Sequence, residues 1–540
     1  MKNNAHHSGL TIKLALGIIL IFAVALPSLK AQHHGGDGLP HDFMDSIALF
    51  PKALGDVEWK VSSKNEQAMA YFNQGIQLKY AFAVNEAARS FRQARMIDPD
   101  CAMCYWGEAW AMGAYLNGGM SKAKGPLAYE AMQKAIELAN KNASPIEQSI
   151  IEASAVRFVE DYDPEGRREQ DSLYALAMKP VYDRYKKDKN VATVYAEALF
   201  LLEERSGRRD MNDPDLQRLH KVLEGVLDVD IKHPGACHLY VHATESTNRP
   251  DLGEACAEFL GSSIPGASHI NHMPSHTWNE VGRWGESVRA NLQAWHSDLK
   301  AEIGEGVAIY PSHNLHMLLY AASFDGQGAI AIQAGKDYHK STGNSMYHVL
   351  TLLRFGRFDE ILEVTERPEQ TIPGALWDFS QGYARLRNGE ADFARAYLTR
   401  VRTNADTATS KFRRHPAEQL LGITGYILEG AIYRAEGNME AALLSFIKAV
   451  ELEDSMEYDE PEPLPFDSRH WLGAASLEDG QYAEAEQVYR TELEDHPNNG
   501  WSHYGLIQAL EGQGKSSEEV KLLLEKSWGR SDYWIRASRY

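Results

Sequence analysis

The chain places nine of its 21 histidines between positions 233 and 316. Most of these histidines are three or four residues apart, and on an α-helix such residues share one face, with Cβ atoms about 5–6 Å apart. Because imidazole is the commonest metal-ligating side chain, this spacing predicts a metal site. The predicted ligands form three groups, namely His238, His242 and Glu245, then His269, His272 and His276, and finally His313 and His316.

The first group has the pattern His-x-x-x-His-x-x-Glu. Three such donors can occupy one side of a metal ion and leave coordination positions open for water or a substrate. The pattern is not the HExxH motif of zinc proteases, because no Glu follows His238. The alternative is that one histidine packs against the next helical hairpin and the other faces solvent.

The second group surrounds Pro274, which is tolerated in the first turn of a helix and predicts that a helix starts there. A helix N-terminus carries partial positive charge, which favours an anion over a cation. His276 is therefore also a candidate for holding a carboxylate or phosphate, or for acting as a general acid or base. His269 is predicted to lie in the preceding loop and is the least constrained of the three.

The third group, His313 and His316, precedes an apolar run at positions 317–322. The alternative to a metal site is a buried pair that is hydrogen-bonded to neighbouring carbonyl groups. Carboxylate plus imidazole suits zinc or iron, whereas an all-imidazole set suits copper. The predicted cofactor is thus a divalent metal (zinc, iron or copper), and seven histidines with Glu245 are enough donors for more than one ion.

The elements that would position these residues follow a repeat. Segments that open at Gly437 and Gly480 carry small residues and then an aromatic residue at the same offset, Phe446 or Tyr489, and Pro497 follows the second segment. Gly514 opens a third copy, 34 residues after Gly480. These segments resemble tetratricopeptide repeats, which are helix–turn–helix units of that length. Weaker copies open at three more glycines, Gly282, Gly356 and Gly389.

Stacked hairpins of this kind bury a continuous core and form a superhelix with a concave groove. Apolar residues recur every three or four positions in runs such as 68–83 and 421–435, which is helical, and no strand pattern is visible. We therefore expect an all-α solenoid of antiparallel helix hairpins. The three histidine groups would belong to successive hairpins and line one concave surface.

The predicted divisions are a signal peptide (1–31), a flexible arm (32–60), an N-terminal helical region (61–230), central histidine-rich hairpins (231–345) and C-terminal repeats (346–540).

Length and charge limit the function classes. A chain of 540 residues is too long for one compact core. The formal net charge of −20 argues against nucleic acid as a partner, because phosphate binding needs a basic face.

The N-terminus predicts export. Lys2 and Lys13 precede an apolar stretch, Leu14–Leu26, and a plausible cleavage position lies before Gln32. The stretch is shorter than the roughly 20 residues that span a bilayer. The mature chain is therefore expected to be periplasmic or secreted and without a membrane span, with an uncleaved N-terminal anchor as the alternative.

Four cysteines could be oxidised in such a compartment. Cys101 and Cys104 lie at a predicted helix start, as in redox CxxC motifs, but no strand precedes them, which favours a packing or structural role. Cys237 and Cys256 are placed so that a disulfide could link the two helices of one hairpin. The acidic stretch 451–465 lacks the alternating carboxylates of a calcium loop and is predicted to be a solvated loop.

Five blocks follow one another along the chain. They are Phe72-Asn73-Gln74-Gly75, Cys101-Ala102-Met103-Cys104-Tyr105-Trp106-Gly107, the segments His238 to Glu245 and His272 to His276, and Pro311-Ser312-His313-Asn314-Leu315-His316. These blocks resemble a group of secreted bacterial tetratricopeptide-repeat proteins. The resemblance covers residues 68 to 320 and implies the fold, whereas it leaves the activity open. Many relatives carry an Asn-His pair where this chain has Ala83-Val84, so the resemblance implies one polar group fewer here.

Together these features predict an exported solenoid that binds a small molecule or a protein in its groove and holds a metal ion with its central histidines. One alternative is a metal-dependent hydrolase or oxidoreductase that uses the same residues. A second alternative is a scaffold for protein–protein interaction with no chemistry of its own.

Overall fold

The chain is built of helical hairpins, as the repeats predict. The structure is a computed structural model and describes Met1 and residues 38–204 and 207–539. Apart from Met1, the predicted signal peptide lies outside the described residues, as does the start of the predicted arm.

The N-terminal part consists of α-helices that each pack against the next along the chain. A short 3₁₀ helix precedes α4 and another precedes α6, at Lys122–Lys124 and Pro164–Gly166. The helices are α1 (Glu66–Tyr80), α2 (Val84–Ile97), α3 (Ala102–Met112), α4 (Gly125–Asn142), α5 (Pro145–Ala155), α6 (Arg167–Tyr185), α7 (Lys189–Phe200) and α8 (Pro214–Leu227).

The central part carries the predicted ligands on shorter helices. A 3₁₀ helix, Pro250–Gly253, precedes α10. The helices are α9 (Pro234–Thr244), α10 (Glu254–Leu260), α11 (Ser268–His272), α12 (Pro274–Glu280), α13 (Trp284–Ala301), α14 (Pro311–Phe324) and α15 (Gly328–Thr342).

The C-terminal part adds ten helices and one small antiparallel hairpin. Strands β1 (Lys411–Phe412) and β2 (His415–Pro416) pair between α19 and α20. The helices are α16 (Met346–Arg354), α17 (Phe358–Glu363), α18 (Thr371–Arg387), α19 (Ala391–Thr407), α20 (Ala417–Ala435), α21 (Met439–Asp454), α22 (Arg469–Glu478), α23 (Tyr482–Asp495), α24 (Gly500–Gly512) and α25 (Glu518–Trp528).

The repeat glycines lie at the turns inside the hairpins. All six have a positive φ, a conformation that glycine adopts without steric cost. This backbone requirement explains why glycine recurs at these positions in the sequence. Their φ angles are 70° for Gly282, 65° for Gly356, 82° for Gly389, 80° for Gly437, 77° for Gly480 and 70° for Gly514.

Small residues also let neighbouring helices approach closely around one aromatic ring. A Cβ on Gly75 of α1 would lie 2.8 Å from the ring of Phe91, and one on Gly107 of α3 would lie 2.5 Å from it. Tyr489 of α23 is enclosed in the same way by glycines of α22 and α24. The rings of Phe91 and Tyr489 therefore fill the space between neighbouring helices near the two ends of the chain.

Two large hydrophobic cores meet in the central part. One extends from Phe43 to Ile309 along the chain, and the other from Trp284 to Trp501. The histidine-bearing helices α11 to α14 lie where the two cores adjoin. The site is thus held between two packed bodies.

The C-terminal repeats close onto the central helices. Trp284 Nε1 donates to the carbonyl oxygen of Pro497 at 2.9 Å, and the amide nitrogen of Gly328 donates to the Asp532 carboxylate at 2.6 Å. The solenoid therefore returns to its own middle.

Residues 38–60, predicted as part of a flexible arm, lie against the first helices. Phe43 and Trp59 are buried, and the amide nitrogen of Gly55 donates to the Gln77 side chain at 2.7 Å. This part of the chain is ordered by α1 to α3. Within the described residues, no helix combines the length and the apolar character needed to cross a membrane.

Candidate metal centre

Helix α9 presents His238 and His242 on one face, one helical turn apart. His238 Nδ1 lies 2.6 Å from the carbonyl oxygen of Tyr80, which can only accept, so this nitrogen carries the hydrogen atom. His242 Nδ1 lies 2.8 Å from Glu245 Oε1. In both rings the hydrogen bond at Nδ1 leaves the lone pair on Nε2, as is usual for a metal-ligating histidine. Both rings are buried, so the alternative in which one of them faces solvent is wrong.

A disulfide braces the same helix. Cys237 of α9 and Cys256 of α10 are joined, as the sequence allowed. Cys101 and Cys104 at the start of α3 are also joined and buried. Both pairs therefore act as covalent links within the helical framework.

Helices α11 and α12 are separated by Met273, and Pro274 occupies the first turn of α12, as predicted. His269 and His272 lie on α11 and His276 lies on α12. His269 is thus helical and fully enclosed, whereas the sequence predicts it in a loop. His272 Nε2 and His276 Nε2 approach each other to 3.0 Å.

Six of the predicted histidines form two adjacent sets of three. Within each set, one nitrogen atom from every ring lies within 4.8 Å of the others. The sets touch, because the rings of His269 and His272 have centroids 5.1 Å apart. The first set is His238, His242 and His269, and the second is His272, His276 and His313.

Two carboxylates lie between the sets. Glu245 Oε2 is 2.5 Å from His276 Nδ1, and Glu460 Oε2 is 3.0 Å from the same atom. Ligand atoms of His242, Glu245, His276 and Glu460 also lie within 4.8 Å of one another. The centre therefore contains imidazole and carboxylate donors in one continuous buried cluster.

Glu460 comes from the acidic stretch that the sequence predicts to be a solvated loop. That prediction is wrong for the part next to the centre, where residues 463–468 are buried and Glu460 is half-buried. The β-hairpin holds this loop in place, since Asp459 lies 3.0 Å from His415 Nε2 and 2.8 Å from the Arg413 guanidinium. These two contacts with Asp459 thereby position the next residue, Glu460.

Two aromatic residues with left-handed backbone conformations enclose His269. Phe82 has φ 61° and its ring centroid is 5.5 Å from that of His269, while Tyr310 has φ 56° and lies 5.1 Å from it. Non-glycine residues in this conformation are uncommon and cost free energy. Such strain collects at functional sites, where the surrounding structure maintains it.

Within the cluster, His276 differs from its neighbours in charge. Burial, reinforced by neighbouring imidazoles, lowers the pKa of His269 and His272 well below its usual value and that of His313 to about 3. Burial also acts to lower the pKa of His276, but Glu245 and Glu460 outweigh it and raise that pKa to about 10. Neutral imidazoles are the form that binds metal, so three of these four rings are already in that form at neutral pH.

His316 lies beside the cluster and outside both three-histidine sets. Its ring stacks on Tyr347 with centroids 4.2 Å apart, and its Nδ1 is 3.4 Å from the tyrosine hydroxyl. His313 and His316 line a groove of about 1070 Å³, whose charged lining residues are basic: Lys340, Lys411 and Arg413. The second histidine set is therefore next to a space large enough for a small molecule.

A second cavity, of about 170 Å³, adjoins the centre at His276 and Glu460. Carboxylates such as Glu280 and Glu457 dominate its lining. The centre thus lies between an acidic cavity and a basic groove.

The structure brings together seven of the eight predicted ligands, all except His316. Glu460, Phe82 and Tyr310 also belong to the centre, and the sequence does not predict them. Most of the predicted donors are buried, so the histidine groups form an enclosed cluster. Only the acidic composition of the stretch 451–465 pointed towards Glu460.

Comparisons with known proteins give no family assignment for the chain. No family model matches the chain. A search of curated proteins also found no match.

The solved structures that match this chain include the following three. In the crystal structure of the APC/C hetero-tetramer Cut9-Hcn1, a chain with 12% identity matches 85% of this chain and 76% of its own length, with a TM-score of 0.28. The P58(IPK) TPR domain has 12% identity, coverages of 86% and 99%, and a TM-score of 0.21. The human IFIT1 dimer with m7Gppp-AAAA has 11% identity, coverages of 87% and 96%, and a TM-score of 0.32. At such scores these likenesses carry no argument about ligands or activity.

Proposed function

We propose that the protein is an exported metal-binding solenoid. In this proposal the two three-histidine sets each take a divalent cation, Glu245 and Glu460 lie between the two cations, and a ligand occupies the adjoining basic groove. Export rests on the N-terminal apolar segment of the sequence, which lies outside the described residues.

The observation that carries the proposal is the state of His269. Both of its ring nitrogens are buried, and neither has a hydrogen-bond partner among the described residues. A buried polar atom without a partner costs about 1–3 kcal/mol, so such groups are rare in folded proteins. Because its nitrogen lies within 4.8 Å of donors from His238 and His242, a shared cation would satisfy it.

The donor set limits the metal. Two all-imidazole sets suit copper, whereas recruitment of Glu245 or Glu460 would suit zinc or iron. The residues fit a cation, because the Nδ1 atoms of His238 and His242 are engaged by Tyr80 and Glu245, respectively. The Nε2 lone pair of each ring is then the one that can bind a metal.

The test is the metal content of protein beginning at Gly38, which removes His33 and His34, purified without chelators. We expect about two equivalents of a transition metal, measured by plasma mass spectrometry. The double variant His238→Ala and His272→Ala should lose most of it, whereas His296→Ala, which changes an exposed histidine of α13, should not. Less than about a tenth of an equivalent in the parent protein, before and after incubation with Cu²⁺, Zn²⁺ or Fe²⁺, would contradict the proposal.

A second candidate function is a metal-dependent hydrolase or oxidoreductase. It is favoured by His313, which is half-buried and lines the groove of about 1070 Å³, so that a small molecule could reach the second set. A metal there would supply Lewis acidity or, for copper or iron, redox chemistry. Azide should then change the visible spectrum of Co²⁺-loaded protein, and an unchanged spectrum would favour a closed, structural site.

A further inference from the structure

A separate group of buried ligands lies in the C-terminal repeats. Asp467 precedes α22, Glu492 lies on α23, and His496 is the residue that ends α23. One ligand atom from each lies within 4.8 Å of the other two. His496 Nδ1 is 3.2 Å from Glu492 Oε1 and 3.7 Å from Asp467 Oδ2. These separations are close to those between neighbouring donors on one metal ion, since each donor lies about 2.0–2.2 Å from the metal.

One oxygen of this group has no partner of its own. Glu492 is fully buried, and its Oε2 has no hydrogen-bond partner among the described residues. Burying a carboxylate oxygen without a partner is costly, and a second carboxylate, Asp467, adds like charge to the same buried space. A bound cation would remove both costs.

Neighbouring groups hold each ligand in a suitable orientation. His496 Nε2 lies 3.1 Å from the Tyr320 hydroxyl and 3.4 Å from Glu462 Oε2. A hydrogen atom on Nε2 can be donated to either oxygen, which leaves the Nδ1 lone pair facing the two carboxylates. Asn499 Nδ2 donates to Glu492 Oε1 at 2.6 Å.

The surroundings favour a cation. Asp467 and His496 line the same acidic cavity of about 170 Å³ that reaches His276 and Glu460. A cavity lined mainly by carboxylates concentrates cations from solution. Arg469 also lines it, but its Nη1 lies 3.9 Å from Asp467 Oδ2 and so forms only a long ion pair with this group.

We propose that Asp467, Glu492 and His496 form a further cation site, distinct from the histidine centre and suited to a divalent ion such as Zn²⁺. Two carboxylates and one imidazole on one side of the ion match the donor preference of zinc and of Fe²⁺ or Mn²⁺. The alternative occupant is a proton on His496 Nδ1 shared with the carboxylates. The site does not depend on the histidine centre and would exist even if that centre bound no metal.

The experiment measures Zn²⁺ bound to the full mature chain by equilibrium dialysis. Relative to wild type, Glu492→Gln should lose one equivalent of Zn²⁺ or bind it at least about tenfold more weakly, because the amide keeps the Asn499 contact but loses the charge. Asp495→Asn, which lines the same cavity without belonging to the group, should bind as wild type does. In the double variant His238→Ala and His272→Ala, the Glu492-dependent equivalent should remain.

A diffraction measurement keeps the test decisive if Glu492→Gln fails to fold. Crystals of the wild-type chain soaked in Zn²⁺ should give an anomalous difference peak between Glu492 and His496 at the zinc absorption edge. Zn²⁺ binding that Glu492→Gln leaves unchanged, or crystals without this peak, would overturn the proposal in favour of a shared proton. Loss of the histidine-dependent equivalents alone would contradict the proposed function and leave this site intact.

Discussion

His269 differs from the other buried histidines in how its ring is satisfied. His220 of α8 is also buried, but its Nε2 lies 3.1 Å from the carbonyl oxygen of Ala243. His269 has aromatic neighbours on two sides and no hydrogen-bond partner among the described residues. In the metal-free protein, burial of the polar His269 ring therefore destabilises the fold, whereas the His220 ring contributes a hydrogen bond.

This difference predicts that the same substitution, histidine to leucine, destabilises the protein less at His269 than at His220. In the presence of a chelator, His269→Leu should change the free energy of unfolding by less than about 1 kcal/mol, because the lost imidazole had no bond to lose. His220→Leu should cost about 1–3 kcal/mol, because it leaves the Ala243 carbonyl unpaired. Urea unfolding gives both values, and metal analysis should show binding lost only in His269→Leu. Equal costs with unchanged metal content would show that His269 is merely structural.

At the level of elements, local signals account for most of what the sequence predicts correctly. A glycine at a left-handed turn, such as Gly437 or Gly480, and apolar residues at helical intervals act within one hairpin. They fix the helices and the face on which each histidine lies. The first hairpin has Phe82 in place of a turn glycine, so no local signal marks its role next to His238.

The rest of the centre depends on contacts between distant parts of the chain. Glu460 reaches His276 only because the β-hairpin binds Asp459 and the C-terminal repeats return to the middle. No periodicity in the acidic stretch encodes that return. For the same reason the sequence places the histidines on a concave surface but does not show that distant residues enclose them.

One buried carboxylate connects the histidine-bearing helices. Asp298 of α13 accepts a hydrogen bond from Asn314 Nδ2 of α14 at 2.8 Å. Burial raises the pKa of Asp298 to about 7, although hydrogen bonds from Ser268 of α11 and from Asn314 act to lower it. The folded protein thus keeps a proton on Asp298 that the unfolded chain releases near its ordinary pKa of 3.8.

The stability of this contact should therefore fall as pH rises. Below the unfolded pKa both states hold the proton. Between about pH 4 and pH 7 only the folded state holds it, so the free energy of unfolding decreases by on the order of 3–4 kcal/mol and then stays level. Asp298→Asn, which mimics the protonated acid, should remove this decrease relative to wild type in urea titrations from pH 4 to pH 8. The control Asp215→Asn, which changes an exposed carboxylate, should show the same pH dependence of unfolding as wild type. If Asp298→Asn also shows the wild-type pH dependence, Asp298 is ionised in the folded protein and the prediction is wrong.

At the scale of the whole molecule, the C-terminal segment fastens the solenoid onto its own middle. Arg530 donates to both oxygens of Asp325, at 2.9 Å and 2.6 Å, directly after α14. Asp532 accepts from the amide nitrogens of Gly328 and Ala329 at the start of α15, at 2.6 Å and 2.9 Å. Helix α14 carries His313 and His316. The contacts that close the molecule therefore also hold His313 of the second histidine set in position.

This coupling predicts that Arg530→Gln acts well beyond its own position. The Asp325 side chain is fully buried, so removal of its bidentate partner should cost about 2–4 kcal/mol in the free energy of unfolding. Hydrogen exchange should quicken at the amides of residues 325–329 and in the last turn of α14. The control Arg434→Gln removes a partly exposed ion pair with Glu478, and Glu478 still pairs with Arg539. This variant should lower the free energy of unfolding by less than about 1 kcal/mol. Equal losses of unfolding free energy in the two variants, with hydrogen exchange in α14 unchanged, would contradict this prediction. The two hydrophobic cores would then hold the histidine centre without the C-terminal segment.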